Sequence, residues 1–198
     1  SGDKNVQQAA EQPGEEKKIS EYPILEFTQW KVPDVSIIIP VYNQFAYTYC
    51  CLESILKYSG DIKYEVIVAD DCSTDLTCEL NKAVRGIRIL NNSNNLRFLL
   101  NCNHAAEYAK GKYILFLNND TQVRENWLSS LVSLMETNET IGMVGSKLIY
   151  PDGHLQEAGG IVWKDGSAWN YGQKKMPDDP EYNYVKDADY ISGAAIMI

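Results

Sequence analysis

The sequence predicts an α/β fold with a mostly parallel central sheet, helices on both faces of that sheet and a mixed β region at the C-terminal end. From about residue 34 onward, short and nearly continuous apolar segments alternate with longer segments of helical periodicity, which is the pattern of βαβ units. Three of the apolar segments end in clusters of Asn and Asp. Such clusters are typical of the ligand-binding edge of an open parallel sheet.

The individual elements follow from the apolar patterns. Residues 35–41, VSIIIPV, form a nearly continuous apolar segment, as expected for a strand that is covered on both faces. In the helix that follows, Cys51, Leu52, Ile55 and Leu56 recur at helical spacing and form the predicted buried face. The other predicted strands are 64–69, 87–90 and 113–117, and the predicted helices are 46–58, 76–84, 99–110 and 127–137.

The chain divides into a polar arm and a folded domain. Residues 1–33 are polar and interrupted by Pro and Gly, so we interpret them as a linker or loosely attached arm. Residues 34–198 are the predicted domain. Because the sequence closes on the apolar segment ISGAAIMI, we expect the domain to continue beyond Ile198.

Composition excludes several classes of protein. The net charge of -9 and the pI near 4.7 argue against nucleic acid as a partner, because that surface needs clustered Lys and Arg. The five cysteines lack CxxC spacing, so neither a zinc site nor a disulfide framework is indicated. No apolar run reaches the length of a membrane span, and we expect a cytoplasmic chain without a transmembrane segment.

The polar clusters that close three strands are the candidate functional site. Tyr42 and Asn43 follow the first strand, Asp70 and Asp71 the second, and residues 118–120, NND, the segment YILFL. The carboxyl ends of parallel strands share one edge, so these clusters are expected to converge. Each cluster taken alone could be a turn or a helix cap, and we interpret Ser73 and Asp75 as caps.

Motifs for other ligands are missing from the sequence. It contains neither the GxGxxG of a dinucleotide site nor the GxxxxGK[ST] of a phosphate loop. The segment DDCSTD lacks the central Gly and final Glu of a calcium loop. His104 is interpreted as a satisfied residue on a helix rather than a catalytic base.

Three segments taken in order resemble the motifs of family 2 glycosyltransferases with the GT-A fold. They are VSIIIPVYNQ, VIVADDCSTD and KYILFLNNDTQV, and the resemblance extends from Val35 to the end of the chain. It is strongest to the rhamnosyltransferase-like group of bacterial cell-surface polysaccharide enzymes, in which NNDT replaces the commoner DXD. The resemblance implies an enzyme that moves a sugar from a UDP- or dTDP-sugar to an acceptor hydroxyl with inversion.

The resemblance also implies roles for individual residues. Asp70 is our first choice for accepting the imide N–H of the base, since an ionised carboxylate is acceptor-only. Asp120 is the implied ligand of Mg2+ or Mn2+, while Asn118 replaces the acid that usually opens the motif. Many relatives carry Gly in place of Arg97, so Arg97 is either a nucleotide contact or a surface residue. The implied donor nucleotide site comprises Pro40, Val41, Tyr42, Asn43, Asp70, Asp71, Arg97 and Asn118, and the donor sugar and phosphate region Asn103, Ser192 and Gly193.

The implied partners are the nucleotide-diphosphate sugar and a glycan or lipid-linked glycan acceptor. Inversion needs a base for the acceptor proton, and the resemblance places that base downstream of ISGAA, so we expect it beyond Ile198. A catalytically inactive nucleotide-sugar-binding module of a larger protein is the alternative. Peripheral association with the inner face of the membrane, through regions outside this chain, also stays open.

Overall fold

A computed structural model describes residues 6–9 and 17–198 of the chain. The helices are α1 (Phe45–Tyr58), α2 (Leu80–Ala83), α3 (Arg97–Ala106) and α4 (Trp127–Thr137), with short 3-10 helices at Ile19–Glu21, Leu76–Glu79 and Pro180–Tyr182. The strands are β1 (Val6–Ala9), β2 (Leu25–Glu26), β3 (Val35–Val41), β4 (Tyr64–Asp70), β5 (Val84–Arg85), β6 (Arg88–Asn91), β7 (Tyr113–Leu117), β8 (Thr121–Gln122), β9 (Val144–Gly145), β10 (Lys147–Ile149), β11 (Leu155–Glu157), β12 (Gly160–Val162), β13 (Ala168–Asn170) and β14 (Ala195–Met197).

A six-stranded sheet in the order β6-β4-β3-β7-β14-β9 forms the centre of the protein. The neighbouring strands β6, β4, β3 and β7 run parallel, and β14 lies antiparallel between β7 and β9. This arrangement confirms the predicted mostly parallel sheet. The four parallel strands therefore end at one common edge.

Helices cover both faces of the central sheet. Ile37 and Ile39 of β3 lie in the larger core cluster together with residues of α1 and α4, whereas Ile38 packs with Ala105 of α3. All three isoleucines are fully buried, and each contributes about 1.5–3 kcal/mol by leaving water. The near-continuous apolar segment predicted for a doubly covered strand is thus confirmed.

The C-terminal part of the chain is a mixed β region, as predicted. A second sheet has the order β11-β10-β1-β8, in which β1 pairs parallel to β10 and the other pairs are antiparallel. A separate antiparallel hairpin is formed by β12 and β13. No helix in the described part of the chain is both long enough and apolar enough to cross a membrane.

Two predicted helices have different bounds in the structure. Residues 76–84 do not form one helix: a 3-10 turn leads into a single α-helical turn, and the chain becomes extended at Val84, which pairs with Leu25. A β-branched residue suits that pairing. The helix predicted over 99–110 begins at Arg97 and ends at Ala106.

The described part of the predicted arm packs against the domain. Leu25 and Phe27 are buried in the main core, and the Tyr49 hydroxyl donates to the Pro23 carbonyl at 2.7 Å. The buried side chains attach this segment to the domain. Here the structure differs from the predicted linker or loosely attached arm. Residues 1–5 and 10–16 of the predicted arm lie outside the described residues, and the domain boundary at 33/34 stays a prediction.

The start of α1 is capped by a residue from another loop. Gln44 at the N-cap has φ 65° and makes no side-chain cap bond. Instead, the Asp75 carboxylate accepts from the N–H of Phe45 at 3.0 Å with one oxygen and from the N–H of Thr77 at 3.0 Å with the other. Burial raises the pKa of Asp75, but the bonds from Thr77 and Phe45 outweigh burial and lower the pKa below its ordinary value.

Replacing Asp75 by Ala should lower the free energy of unfolding by about 1–2 kcal/mol at neutral pH, because two helix starts lose their cap. Since the folded pKa is lowered, this stabilisation is present above the ordinary pKa of 3.8 and is lost as the pH falls through the folded pKa. Urea unfolding between pH 2 and 7 measures both effects. A difference between wild type and Asp75→Ala that stayed constant across this range would contradict the assignment.

Candidate functional site

The ends of β3, β4 and β7 lie side by side at one edge of the central sheet. Val41 at the end of β3 pairs with Asp70 at the end of β4, and Ile38 of β3 pairs with Phe116 near the end of β7. This register brings the three predicted polar clusters to the same edge. The convergence expected from the parallel topology is thus present in the structure.

The loop after β3 presents one aromatic side chain to solvent. Pro40 is half-buried and Val41 is buried, whereas Tyr42 is 56% exposed. Val41 also accepts from the N–H of Asp71 at 2.8 Å through its carbonyl oxygen. Pro40 and Val41 thus contribute backbone and packing to this edge, and Tyr42 is the exposed aromatic side chain of this loop.

Asn43 joins the loop after β3 to the loop after β4. Its N–H donates to Ser73 Oγ at 2.7 Å, and its Oδ1 accepts from the N–H of Thr74 at 2.7 Å and of Asp75 at 3.3 Å. The cap role predicted for Asp75 is confirmed by its carboxylate bonds to Phe45 and Thr77, whereas the Ser73 hydroxyl binds the loop ahead of α1. Asn43 holds the two loops together, in addition to its predicted place at the nucleotide.

The two acids after β4 are used differently by the fold. Both are buried, and Asp70 Oδ1 accepts from the N–H of Ser73 at 3.0 Å. The Asp71 carboxylate accepts from the N–H groups of Leu96 at 2.7 Å and Arg97 at 2.8 Å, and from Asn92 Nδ2 at 2.9 Å. Asp71 thereby attaches the start of α3 to the end of β4.

Asn92 and Asn101 belong to the same network and were not predicted. Asn92 Nδ2 also donates to Asn101 Oδ1 at 2.8 Å, and Asn101 Nδ2 donates to the carbonyl of Ala69 at 2.8 Å. His104 Nδ1 lies 3.0 Å from Asn92 Oδ1, which confirms His104 as a satisfied helical residue. Asn92 directly follows β6, so the rule of polar strand ends, applied to a fourth strand, would have found it.

Left-handed backbone is concentrated in these loops. Six non-glycine residues in the described ranges have positive φ, and four of them lie at this edge: Asn43, Gln44 and Cys72 in the loops and Arg97 at the start of α3. Asn tolerates this conformation, but other residues pay about 1–2 kcal/mol each. Strain of this kind is typical of ligand sites. At Arg97, φ of 62° is a conformation that Gly adopts without steric cost.

The cluster after β7 is held by backbone and side-chain contacts and leaves its acid exposed. Asn118 donates from its N–H to the carbonyl of Ala194 at 2.9 Å, and Asn119 Nδ2 donates to Thr48 Oγ1 at 3.0 Å. Cys51 Sγ donates to the carbonyl of Asn118 at 3.7 Å. Asp120 is exposed at the end of this ordered segment.

The donor atoms at this edge fit a cation that takes few protein ligands. The described residues contain no group of three or more His, Cys, Asp or Glu that could hold a metal ion. Mg2+ is commonly bound by one or two carboxylates together with substrate phosphates. Asp120 is an exposed carboxylate at this edge that could supply one such ligand.

The segment before β14 is linked to the end of β7. Glu157 Oε1 accepts from the N–H of Ser192 at 3.2 Å, and the carbonyl of Ala194 accepts from Asn118 as described above. Burial raises the pKa of the Glu157 carboxyl, and the bond from Ser192 opposes that rise. Ser192 and Gly193 thus adjoin the candidate site through the backbone of Asn118, and Glu157 is a further residue that the sequence patterns did not indicate.

Of the remaining residues, Asn103 was predicted for the donor region, and Asp189 lies shortly before Ser192 and Gly193 in the chain. Asn103 is exposed on α3, one residue after the buried Cys102. Asp189 Oδ2 accepts from the N–H of Val162 at 2.9 Å, which attaches the segment before β14 to the hairpin of β12 and β13. Asp189 has a structural role in these contacts.

The family model described as glycosyl transferase family 2 matches residues 36–191, more than three quarters of the chain. The chain therefore belongs to glycosyl transferase family 2, and the resemblance of its three motifs is confirmed. A solved structure of similar fold is the mannosyltransferase PcManGT from Pyrobaculum calidifontis in complex with GDP-Man and Mn2+. Its TM-score is 0.51 at 22% identity, over 60% of this chain and 38% of that chain. The fold is GT-A, as predicted.

Curated relatives include proteins of bacterial polysaccharide synthesis. The O-antigen biosynthesis protein RfbC of Myxococcus xanthus is 32% identical over 75% of this chain and 12% of its own length. The putative teichuronic acid biosynthesis glycosyltransferase TuaG of Bacillus subtilis is 33% identical over 64% of this chain and 51% of its own. An uncharacterized glycosyltransferase of Haemophilus influenzae is 31% identical over 69% of this chain and 43% of its own length. This chain thus spans about half or less of the length of these relatives.

Substituting Asp71 by Asn should lower the free energy of unfolding by about 2–4 kcal/mol, because an amide keeps one acceptor oxygen and turns its N–H2 toward the donor or donors of the other oxygen. The matched change Asp120→Asn should alter it by less than about 0.5 kcal/mol, since Asp120 is exposed. Urea unfolding of both variants measures the contrast. Equal losses in the two variants would show that Asp71 does not anchor α3.

Proposed function

We propose that this chain binds a UDP- or dTDP-sugar and, within its parent protein, transfers the sugar with inversion to a hydroxyl of a glycan or lipid-linked glycan. The observation that carries the proposal is the convergence of three polar strand ends in a family 2 glycosyltransferase. The names of two relatives, which refer to O-antigen and teichuronic acid biosynthesis, support cell-surface polysaccharide as the product. We place the reaction in the cytoplasm.

We propose that Asp70 and Tyr42 bind the nucleobase of the donor. Asp70 Oδ1 is held by the N–H of Ser73, so the carboxylate is oriented and its second oxygen is assigned to the imide N–H. Asp71 already accepts from three donors, which favours Asp70 over Asp71 for this contact. Uracil and thymine both present an imide, so this recognition accepts either base.

We propose that the diphosphate of the donor binds to a divalent cation held by Asp120 and to the guanidinium of Arg97. Mg2+ or Mn2+, when bound, stabilises the charge that develops on the diphosphate leaving group. Arg97 is exposed and its backbone is fixed by Asp71, so its side chain starts from a defined position. Asn118 can hydrogen-bond a ribose hydroxyl without adding charge, while Asn103, Ser192 and Gly193 complete the proposed donor region.

We assign none of the described residues as the catalytic base, the group that takes the proton from the attacking acceptor hydroxyl. The second candidate function is therefore a catalytically inactive nucleotide-sugar-binding module. The neutral Asn118 in place of an acid favours this candidate, because it leaves one carboxylate, Asp120, for the cation. The two functions share the donor site, but only the enzyme transfers the sugar. Measuring the transfer of sugar from the donor by the full-length protein therefore distinguishes the enzyme from the binding module.

Donor binding is tested by thermal unfolding of the chain with UDP, dTDP, GDP or CMP, each with and without Mn2+. UDP or dTDP with Mn2+ at about 100 times its dissociation constant should stabilise the fold by about 2.7 kcal/mol. Asp120→Ala should remove the Mn2+-dependent part of that stabilisation. The matched variant Asp61→Ala, an exposed acid before β4, should keep it.

Two outcomes would contradict these assignments. If none of the four nucleotides stabilised the chain, the strand edge would not be a donor site. If Asp120→Ala kept the full Mn2+ dependence of the wild type, the cation would have to bind elsewhere.

A further inference from the structure

Glu157 is a buried acid to which the fold supplies one hydrogen bond and no cation. The residue is 3% exposed, and its Oε1 accepts from the N–H of Ser192 at 3.2 Å. None of the ion pairs among the described residues involves Glu157. Burial raises the pKa of its carboxyl, so the ionised form opposes folding at neutral pH. A buried charge that is kept without a compensating cation is typical of a functional group.

The second carboxylate oxygen of Glu157, Oε2, is unpaired but not sealed from solvent. The bond from Ser192 goes to Oε1, and no other described residue donates to this carboxylate. In the described part of the chain, the sealed side-chain oxygens that lack a partner are Thr77 Oγ1 and Ser146 Oγ. Oε2 is not one of them. It is therefore an acceptor in a buried residue that a ligand can still reach.

The segment that Glu157 contacts, residues 189–194, has a fixed position in the fold. The ring of Tyr190 lies so close to Gly160 of β12 that a Cβ at this glycine would collide with it. At the other end of the segment, the carbonyl of Ala194 accepts from the N–H of Asn118 at 2.9 Å. The segment thus connects the hairpin of β12 and β13 to the cluster after β7, and it carries the acid's bonding partner with it.

Space for a ligand is present beside this segment. A Cβ added at Gly193 would meet no atom within 4 Å, although the nearby Ala195 is buried. In the proposed function the diphosphate binds at Asp120, two residues after Asn118. The sugar is bonded to that diphosphate, so it is the part of the donor that we expect beside residues 192–193.

We propose that Oε2 of Glu157 accepts a hydrogen bond from a hydroxyl group of the donor sugar, so that Glu157 determines which sugar is accepted. The inference rests on the proposed donor site. An ionised carboxylate only accepts, and a sugar hydroxyl can donate. A buried acceptor that loses its partner discriminates strongly against a ligand without the hydroxyl. A cation fits less well, because the described residues place no group of three His, Cys, Asp or Glu together to hold one.

Calorimetric titration of the 198-residue chain in the presence of Mn2+ tests this contact. The ligands are UDP-glucose, UDP-galactose, UDP-N-acetylglucosamine, dTDP-rhamnose, UDP and dTDP, and the tightest of the four donors is compared with its own nucleoside diphosphate. In Glu157→Gln the dissociation constant of that donor should rise at least about fivefold relative to that of the nucleoside diphosphate. An amide has one acceptor oxygen and cannot serve both Ser192 and the hydroxyl.

The matched control is Glu65→Gln, which makes the same chemical change where β4 begins, at the opposite edge of the central sheet. Glu65 Oε1 accepts there from the N–H of Lys110 at 2.7 Å. This control should leave the ratio of the two dissociation constants unchanged. Because the ionised form of Glu157 opposes folding, Glu157→Gln should stay folded, and its thermal unfolding without ligand verifies this.

Three results would overturn the inference. An unchanged ratio in Glu157→Gln, with the nucleoside diphosphates still bound, would show that Glu157 does not contact the sugar while leaving the proposed function intact. Loss of the Mn2+-dependent part of UDP binding in Glu157→Gln would assign the acid to the cation instead. If neither UDP nor dTDP bound the wild type, the proposed function would fail and this inference with it.

Discussion

The parallel pairing of β3 with β4 on one side and with β7 on the other determines where every polar residue of the candidate site lies. The register that pairs Val41 with Asp70 and Ile38 with Phe116 brings three strand ends to one edge. Ile37 and Ile39 of β3 are buried in one core and Ile38 in the other, so the packing that holds β3 at the centre of the sheet also positions the site.

Most polar groups at this edge have a protein partner before any ligand arrives. Asn43 joins two loops, Asp71 holds the start of α3, and Asn92 connects Asp71 to Asn101. A site whose loops are held by buried hydrogen bonds loses little conformational freedom on binding, which favours affinity. Tyr42, Arg97 and Asp120 are among the exposed side chains at this edge. Under the proposed function, this aromatic ring, cation and carboxylate bind the nucleobase, the diphosphate and the divalent ion.

Strands and helices with a clear apolar period could be predicted from the sequence. Side-chain roles that depend on hydrogen-bond partners far along the chain could not. The strand at 35–41 and the helix at 127–137 have the predicted bounds, because their packing faces are visible in the pattern. Leu56 was placed on the buried face of α1 but is 36% exposed, since the pattern does not show how far the sheet extends beneath the helix. The anchoring role of Asp71 depends on residues more than 20 positions away, and an Asp before a turn carries no local sign of them.

The central claim, that the ends of β3, β4 and β7 form one nucleotide-binding site, is tested most directly by NMR of the 15N-labelled chain titrated with UDP and Mg2+. We expect the largest chemical shift changes at the amides of residues 42–43, 70–74 and 118–121 together, with the same dissociation constant for all three segments. Changes concentrated in the hairpin of β12 and β13, or confined to one of the three segments, would contradict a shared site.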